Sequence, residues 1–261
     1  MPEVASPTLD SNWRMTGLFL LALASNCLLM KLAALLTPPC TSKTDWAFIL
    51  SPVLCPESLR RSRPLSALPR FLGRATAFLA ATLVYYWVYW QLVRGFDPRW
   101  ISYFAAPAIL LLGELGAAIV TVLWLPSGRL LPPLHDEPIL ARGLSEFWGR
   151  RWNLWFSDWF RSAIFDRLRQ RPQLALLLVF VVSGLMHEWV INLPLYLVTG
   201  RRLFGSMMLY FLLQAAGVLI EHRLLRRNAL AKFLFVWLVV LGPAPLIINE
   251  GLLRALHLWP G

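Results

Sequence analysis

Residues 173–199 decide the fold, and they read QLALLLVFVVSGLMHEWVINLPLYLVT. A helix of this length is about 40 Å long at 1.5 Å per residue, enough to cross the roughly 30 Å hydrocarbon core of a bilayer. Glu188 is the one residue in it with a full charge at neutral pH, and it follows His187. We therefore predict a membrane-spanning helix that carries an ionisable pair roughly 20 Å from its N-terminal end.

Five further stretches are apolar and of similar length. They lie at residues 15–37, 71–94, 102–125, 203–221 and 231–256. The composition agrees, because 57% of the residues are hydrophobic and only 15% are charged, against roughly 25% charged residues in soluble domains. No alternating ten-residue pattern of barrel strands is present. The sequence therefore predicts an all-α, polytopic integral membrane protein of about six transmembrane helices, with additional interfacial or re-entrant amphipathic helices.

Residues 1–261 are expected to form a single membrane domain, because no connection is long enough for a soluble one. The stretch from Met15 to Leu36 exceeds the roughly 7–15 residues of a signal-peptide core, so we interpret it as a retained helix. The piece from Trp46 to Cys55 is too short to span and is expected to be re-entrant or to lie at the surface. No metal site is predicted, because neither disulfide nor zinc-site spacing connects the three cysteines, Cys27, Cys40 and Cys55.

The net charge of +11 indicates contact with membrane lipid and argues against a nucleic-acid partner. The arginines lie between hydrophobic segments and form no single basic stripe, as a nucleic-acid surface would require. Most lysines and arginines fall in the connections at 38–74, 126–171 and 222–232. The positive-inside rule places these connections in the cytoplasm and both termini outside. A bacterial inner membrane and an endoplasmic reticulum membrane fit this pattern equally well.

The connection at residues 145–161 reads SEFWGRRWNLWFSDWFR and mixes arginines with aromatic residues. Its tryptophans recur at spacings that place them on one face of a helix, and they are Trp148, Trp152, Trp155 and Trp159. We predict an interfacial helix whose aromatic face lies in the apolar phase. A simple membrane anchor is the alternative, but an anchor needs neither Gly149 nor the embedded Asn153.

His187 and Glu188 near mid-membrane form a hypothesis for a functional site. A central charge costs about 2.5–3.5 kcal/mol on insertion scales, so such residues usually face a polar partner or a water-accessible cavity. The alternative is a structural histidine that bonds to another helix. Gly184, one turn earlier, would let another backbone or a substrate approach. A metalloprotease is excluded, because H-E-x-x-H requires a second histidine where this chain has Ile191.

Other polar residues inside the apolar stretches are candidate partners for His187. Glu114, between Gly113 and Gly116, is our first choice, although helix-to-helix packing explains it equally well. The remaining candidates are Gln214, Asn249 and Glu250.

The two motifs together resemble a known family. The run from Phe147 to Asn153, followed by Ser183-Gly184-Leu185-Met186-His187-Glu188, resembles the wax synthase branch of the membrane-bound O-acyltransferases (the MBOAT family). Residues 137–261 carry this resemblance. It implies transfer of an acyl group from acyl-CoA, used as a co-substrate with no permanently bound cofactor, to the hydroxyl of a lipophilic alcohol. Some relatives acetylate sterol or terpenoid hydroxyls. Members of the wider family usually have more transmembrane helices, so the resemblance does not extend to the acceptor tunnel.

The resemblance also implies roles for individual residues. His187 matches the catalytic histidine and would act as general base, while Asn153 matches the second polar residue and would orient substrate or oxyanion. Glu188 and Glu114 would support them. Arg150 and Arg151, next to Trp152, suit the phosphates of CoA, because guanidinium groups bind phosphate oxygens in pairs.

Two other classes of protein compete with an acyltransferase. A transporter or proton-relay protein would use His187, Glu114 and Glu250 as a chain of ionisable groups. A non-catalytic membrane scaffold would need His187 for stability alone. A cavity that joins the cytosol to His187 and is lined by Asn153 would favour the acyltransferase over the transporter.

Overall fold

The computed structural model describes residues 9–36, 51–54, 60–61, 64–93, 96–225 and 228–260. Cys40, Cys55 and residues 46–50 of the predicted short segment lie outside these ranges. Helices dominate the described part, as predicted for an all-α protein. The two strands described there, β1 (Arg60–Arg61) and β2 (Arg129–Leu130), form a short antiparallel pair.

Eleven α-helices lie in the described part of the chain. They are α1 (Leu9–Leu36), α2 (Pro64–Val93), α3 (Pro98–Trp124), α4 (Leu144–Glu146), α5 (Leu154–Phe160), α6 (Pro172–His187), α7 (Leu193–Thr199), α8 (Ser206–Leu224), α9 (Ala229–Leu241), α10 (Ala244–Ile247) and α11 (Glu250–Ala255). Wider, π-helical turns extend three of them, at Phe147–Arg151 after α4, Arg161–Phe165 after α5 and Glu188–Asn192 between α6 and α7.

Within the described residues, five helices are long and apolar enough to cross a membrane. They are Ser11–Leu36, Leu68–Val93, Trp100–Ser127, Pro172–Thr199 and Ala229–Ile247. These match five of the six predicted stretches, so the chain is an integral membrane protein as expected. The sixth stretch forms α8, which is not among the five, and its last turns hold Glu221, His222 and Arg223.

The predicted continuous helix over residues 145–161 is wrong. The helical run ends after Arg151, Asn153 adopts the left-handed conformation (φ 45°, ψ 63°), and α5 starts at Leu154. Because a left-handed residue redirects the chain, the four tryptophans do not share a face. Trp148 and Trp152 pack near Phe147, Trp155 packs near Val53 and Ala117, and Trp159 packs near Met30 and Phe160.

The helices α6 and α8 pack closely side by side around Gly184. A Cβ atom at Gly184 would lie 3.1 Å from the Met208 Cα atom. The backbone that approaches this glycine is therefore that of α8 at Met208. This close packing fixes α8 against the part of α6 that carries the histidine.

Candidate active site

A cavity of about 1220 Å³ lies among α1, α3, α5, α6, α8 and α9, and both His187 and Asn153 line it. Most of its wall is apolar or aromatic, including Phe156, Phe180 and Phe211. A cavity of this kind, with few polar groups on an apolar wall, is typical of a binding site for a small, largely apolar ligand. The two residues singled out from the sequence thus share one chamber although they lie on different elements.

His187 is oriented by its own helix. Its Nδ1 atom lies 2.7 Å from the carbonyl oxygen of Ser183, one turn earlier. A carbonyl oxygen only accepts, so Nδ1 carries the hydrogen and Nε2 of the neutral ring carries the free lone pair. The ring packs against Phe211 with centroids 4.6 Å apart. No residue in the described part of the chain bonds to Nε2, which leaves this atom available to a ligand.

Glu188 has a structural task and does not orient the imidazole. Its carboxylate accepts hydrogen bonds from the backbone amides of Gly205, Met207 and Met208, at 2.8, 2.9 and 3.2 Å, and from the side chain of Asn192 at 2.7 Å. The first amides of a helix lack partners within the helix, and a negative charge there is also favoured by the helix dipole. Glu188 therefore caps α8.

Glu114 is linked to the Asn153 loop, and none of its described partners is His187. It accepts from the Arg74 guanidinium, and one carboxylate oxygen lies 2.9 Å from Nδ1 of His135. The His135 ring packs on Trp152, with centroids 4.4 Å apart. Glu114, which was expected to bond to His187, thus supports Trp152 through His135.

The other predicted partners of His187 are also engaged elsewhere. Gln214 accepts from Nε1 of Trp148 at 3.2 Å and donates to the Val239 carbonyl at 2.8 Å. Asn249 donates to Asn192 at 2.8 Å. Glu250 pairs with two arginines, Arg201 and Arg254.

Asn153 combines a strained backbone with an unpaired side chain. Backbone hydrogen bonds on both sides hold its loop, from Leu154 to Leu134 and from Asp136 to Arg151, each at 2.8 Å. The Asn153 Oδ1 atom is buried and finds no hydrogen-bond partner among the residues described. A buried unsatisfied polar atom costs about 1–3 kcal/mol, and a left-handed residue costs roughly 1–2 kcal/mol more. Strain of this kind is typical of functional sites.

The arginines of the motif divide into two groups. Arg150 is exposed and lines the cavity, as do the exposed Arg161 and Arg223. Arg151 is absent from the cavity wall and bonds instead to the Glu146 carboxylate at 2.7 Å and to the Asp136 carbonyl at 3.1 Å. One end of the cavity is therefore rimmed by exposed guanidinium groups, while Arg151 fastens the loop behind it.

Desolvation raises the pKa of Glu146, but hydrogen bonds from the Arg151 side chain and the Arg142 backbone amide outweigh it and lower the pKa below its usual value. The carboxylate thus stays charged and keeps Arg151 in place. Trp152, which was predicted to lie at the CoA site together with Arg150 and Arg151, lines the cavity. Its ring stacks on Phe147 with centroids 5.6 Å apart.

Sequence reasoning missed several residues of the wall. Asn26 on α1 lines the cavity and is 8% exposed. The sequence could have indicated it, because Asn26, like His187, is a polar residue inside an apolar stretch. Ser145 and His222 also line the cavity and lie 2.9 Å apart. Their pairing joins residues far apart in the chain and had no local signal.

The described part of the chain is thus a membrane-embedded, helical protein with a cavity lined by His187 and Asn153, which come from two separate motifs. Residues 131–213 match the model of the family described as the membrane bound O-acyl transferase family. Both Asn153 and His187 lie inside the matched segment. The resemblance predicted from the two motifs is therefore confirmed.

Relatives with assigned names match part of the chain. The chain is 41% identical over 91 residues to a probable long-chain-alcohol O-fatty-acyltransferase 9 of Arabidopsis thaliana, covering 31% of this chain and 26% of that protein. It is 44% identical over 71 residues to a long-chain-alcohol O-fatty-acyltransferase of Simmondsia chinensis, covering 23% and 20%. An acyl-CoA–sterol O-acyltransferase 1 of Arabidopsis thaliana is 33% identical over 129 residues, covering 46% and 34%. The chain therefore matches about a third or less of each relative's length.

Proposed function

We propose that this protein is an acyl-CoA-dependent O-acyltransferase that transfers an acyl group to the hydroxyl of a lipophilic alcohol. The observation that carries the proposal is one cavity that is lined both by His187, whose Nε2 atom is free, and by Asn153. The names of the matched relatives, alcohol and sterol acyltransferases, agree with this chemistry.

The reaction follows from the available atoms. Nε2 of His187 takes the hydroxyl proton as the alcohol oxygen attacks the thioester carbon, and a carbon–oxygen bond forms. The carbonyl electrons move to oxygen, and the Asn153 amide N–H donates to this oxyanion. When the intermediate collapses, the carbon–sulfur bond breaks, and the imidazolium returns the proton to the departing thiolate. The products are an ester and free CoA thiol.

The charges around the cavity suggest how acyl-CoA binds. Arg150 and Arg223 offer guanidinium groups for the phosphates at the exposed end, where Arg161 also lines the cavity but donates to the Gly149 carbonyl. The acyl chain then extends along the apolar wall toward His187. This orientation agrees with the cytoplasmic side expected for the basic connections. Arg151 is left out of the CoA site, because it is bonded to Glu146.

The experiment measures transfer from radiolabelled acyl-CoA to a panel of long-chain alcohols and sterols by the purified protein. His187→Ala is expected to lower the rate by about 10²–10⁴-fold, the usual contribution of a general base. The matched control is His257→Ala, since that histidine packs on Trp13 and is absent from the cavity wall.

Full activity in His187→Ala would refute the mechanism, and the absence of transfer to any acceptor would refute the function. In the second case, flux through liposomes without CoA would support the transporter. The transporter would need a relay of His187, Glu114 and Glu250, but the described partners of the two glutamates do not include His187.

A further inference from the structure

Asn26 is a polar side chain in the middle of a membrane-spanning helix. It lies in α1, whose span Ser11–Leu36 is mostly apolar. It is 8% exposed and makes no hydrogen bond to any residue of the described chain, yet it lines the cavity. An amide left unpaired in an apolar environment is unfavourable unless a ligand or water bonds to it.

The position of Asn26 on α1 is set by its neighbours. Phe19 and Leu23 also line the cavity, and their spacing of four and three residues places all three side chains on one helix face. The next residue back, Ser25, accepts a hydrogen bond from Nε1 of Trp189 at 3.1 Å. Asn26 therefore faces the cavity at a depth close to that of His187, two residues before Trp189.

We propose that Asn26 binds the hydroxyl group of the acceptor alcohol and so distinguishes alcohols from plain hydrocarbons. This rests on the proposed function, because it assigns a polar subsite to the same chamber. The amide offers both a donor and an acceptor, which match the oxygen and hydrogen of a hydroxyl. With Nε2 of His187 accepting the hydroxyl proton, the Asn26 N–H donates to the same oxygen and fixes the direction of attack.

The matched segment of the family, residues 131–213, does not include Asn26. The catalytic pair of the chamber and this amide therefore come from different parts of the chain. Discrimination by such a group is strong, because a hydrocarbon would leave the buried amide unpaired whereas a hydroxyl satisfies it. The acceptor's polar end is thereby drawn to the depth of His187, and its chain remains along the apolar wall.

The test compares the wild type with Asn26→Leu, which removes the amide at similar volume and suits an apolar helix. Ser25→Ala is the matched control, since Ser25 is adjacent but absent from the cavity wall. The KM for hexadecan-1-ol is expected to rise about 5- to 150-fold in Asn26→Leu, the factor for one lost hydrogen bond to a buried polar group. The KM for acyl-CoA is expected to stay unchanged, and Ser25→Ala to behave as wild type.

A second measurement does not depend on turnover. Thermal stabilisation of the full chain by hexadecan-1-ol is compared with that by hexadecane, without acyl-CoA. The alcohol is expected to stabilise the wild type more, and this difference is expected to shrink in Asn26→Leu. If transfer occurs in the wild type but Asn26→Leu changes neither measurement, the inference is overturned while the proposed function stands. If no transfer occurs, the thermal comparison alone decides whether Asn26 binds a hydroxyl.

Discussion

Asn153→Gly is expected to make the protein more stable and less active at the same time. The change removes the buried, unpaired Oδ1 atom, which costs about 1–3 kcal/mol in the wild type. It also relieves the left-handed backbone (φ 45°), a gain of roughly 1–2 kcal/mol. The greater conformational freedom of glycine in the unfolded chain reduces this gain in stability by about 0.5–1 kcal/mol. The net gain is therefore about 1–4.5 kcal/mol, or a rise in Tm of about 2–18 °C.

The assay is thermal unfolding in detergent beside acyl transfer, with Asn249→Gly as the matched control. Asn249 is also a buried asparagine, but its amide bonds to Asn192 and to the backbone of Gly251. That variant is expected to lose stability. If Asn153→Gly lowered Tm as much as Asn249→Gly, the Asn153 amide would be a structural bond, and its assignment to a substrate would be refuted.

Three further changes test the surroundings of the site. Glu188→Ala removes the cap of α8 and is expected to lower the free energy of unfolding by about 1–3 kcal/mol, measured by thermal unfolding; an unchanged Tm would contradict the cap. Gly184→Val places atoms against Met208, and this overpacking is expected to lower the free energy of unfolding by about 1–3 kcal/mol. A variant as stable as the wild type would show that α6 and α8 separate easily. Glu146 has a lowered pKa in the folded state through Arg151, so its contribution is present above the unfolded value of about 4.3 and is lost as pH falls through the folded pKa. The stability difference between wild type and Glu146→Gln should therefore shrink in acid, and a constant difference would exclude the ion pair as its source.

The sequence predicted the helical spans well, because apolar length is a local property. The span around His187 and four others could be recognised from composition alone. The same reasoning identified the two motifs whose residues line one cavity, although the roles of His187 and Asn153 stay predictions. Asn26 carried the same signal as His187, a polar group in an apolar helix, and was overlooked.

The errors share one physical cause, which is that partners are chosen by long-range packing. The periodicity of the tryptophans predicts a single face, but one left-handed residue, Asn153, divides the helix. Glu114 was paired with His187 on depth alone, whereas its bonds run to Arg74 and His135. Glu188 was expected to support His187, but its carboxylate bonds to the first backbone amides of α8.

The hydrogen bond from His187 to the Ser183 carbonyl has a consequence for how the chamber is assembled. Since the orienting group belongs to the same helix as the imidazole, a displacement of α6 carries both together and leaves the tautomer unchanged. Asn153 belongs to a separate unit, fastened through Leu134 and Arg151. The tautomer of His187 and the position of Asn153 are therefore fixed by separate sets of local hydrogen bonds. A substitution that shifts one part of the cavity wall can change the distance between the two residues, and so the turnover, while both sets of bonds stay intact.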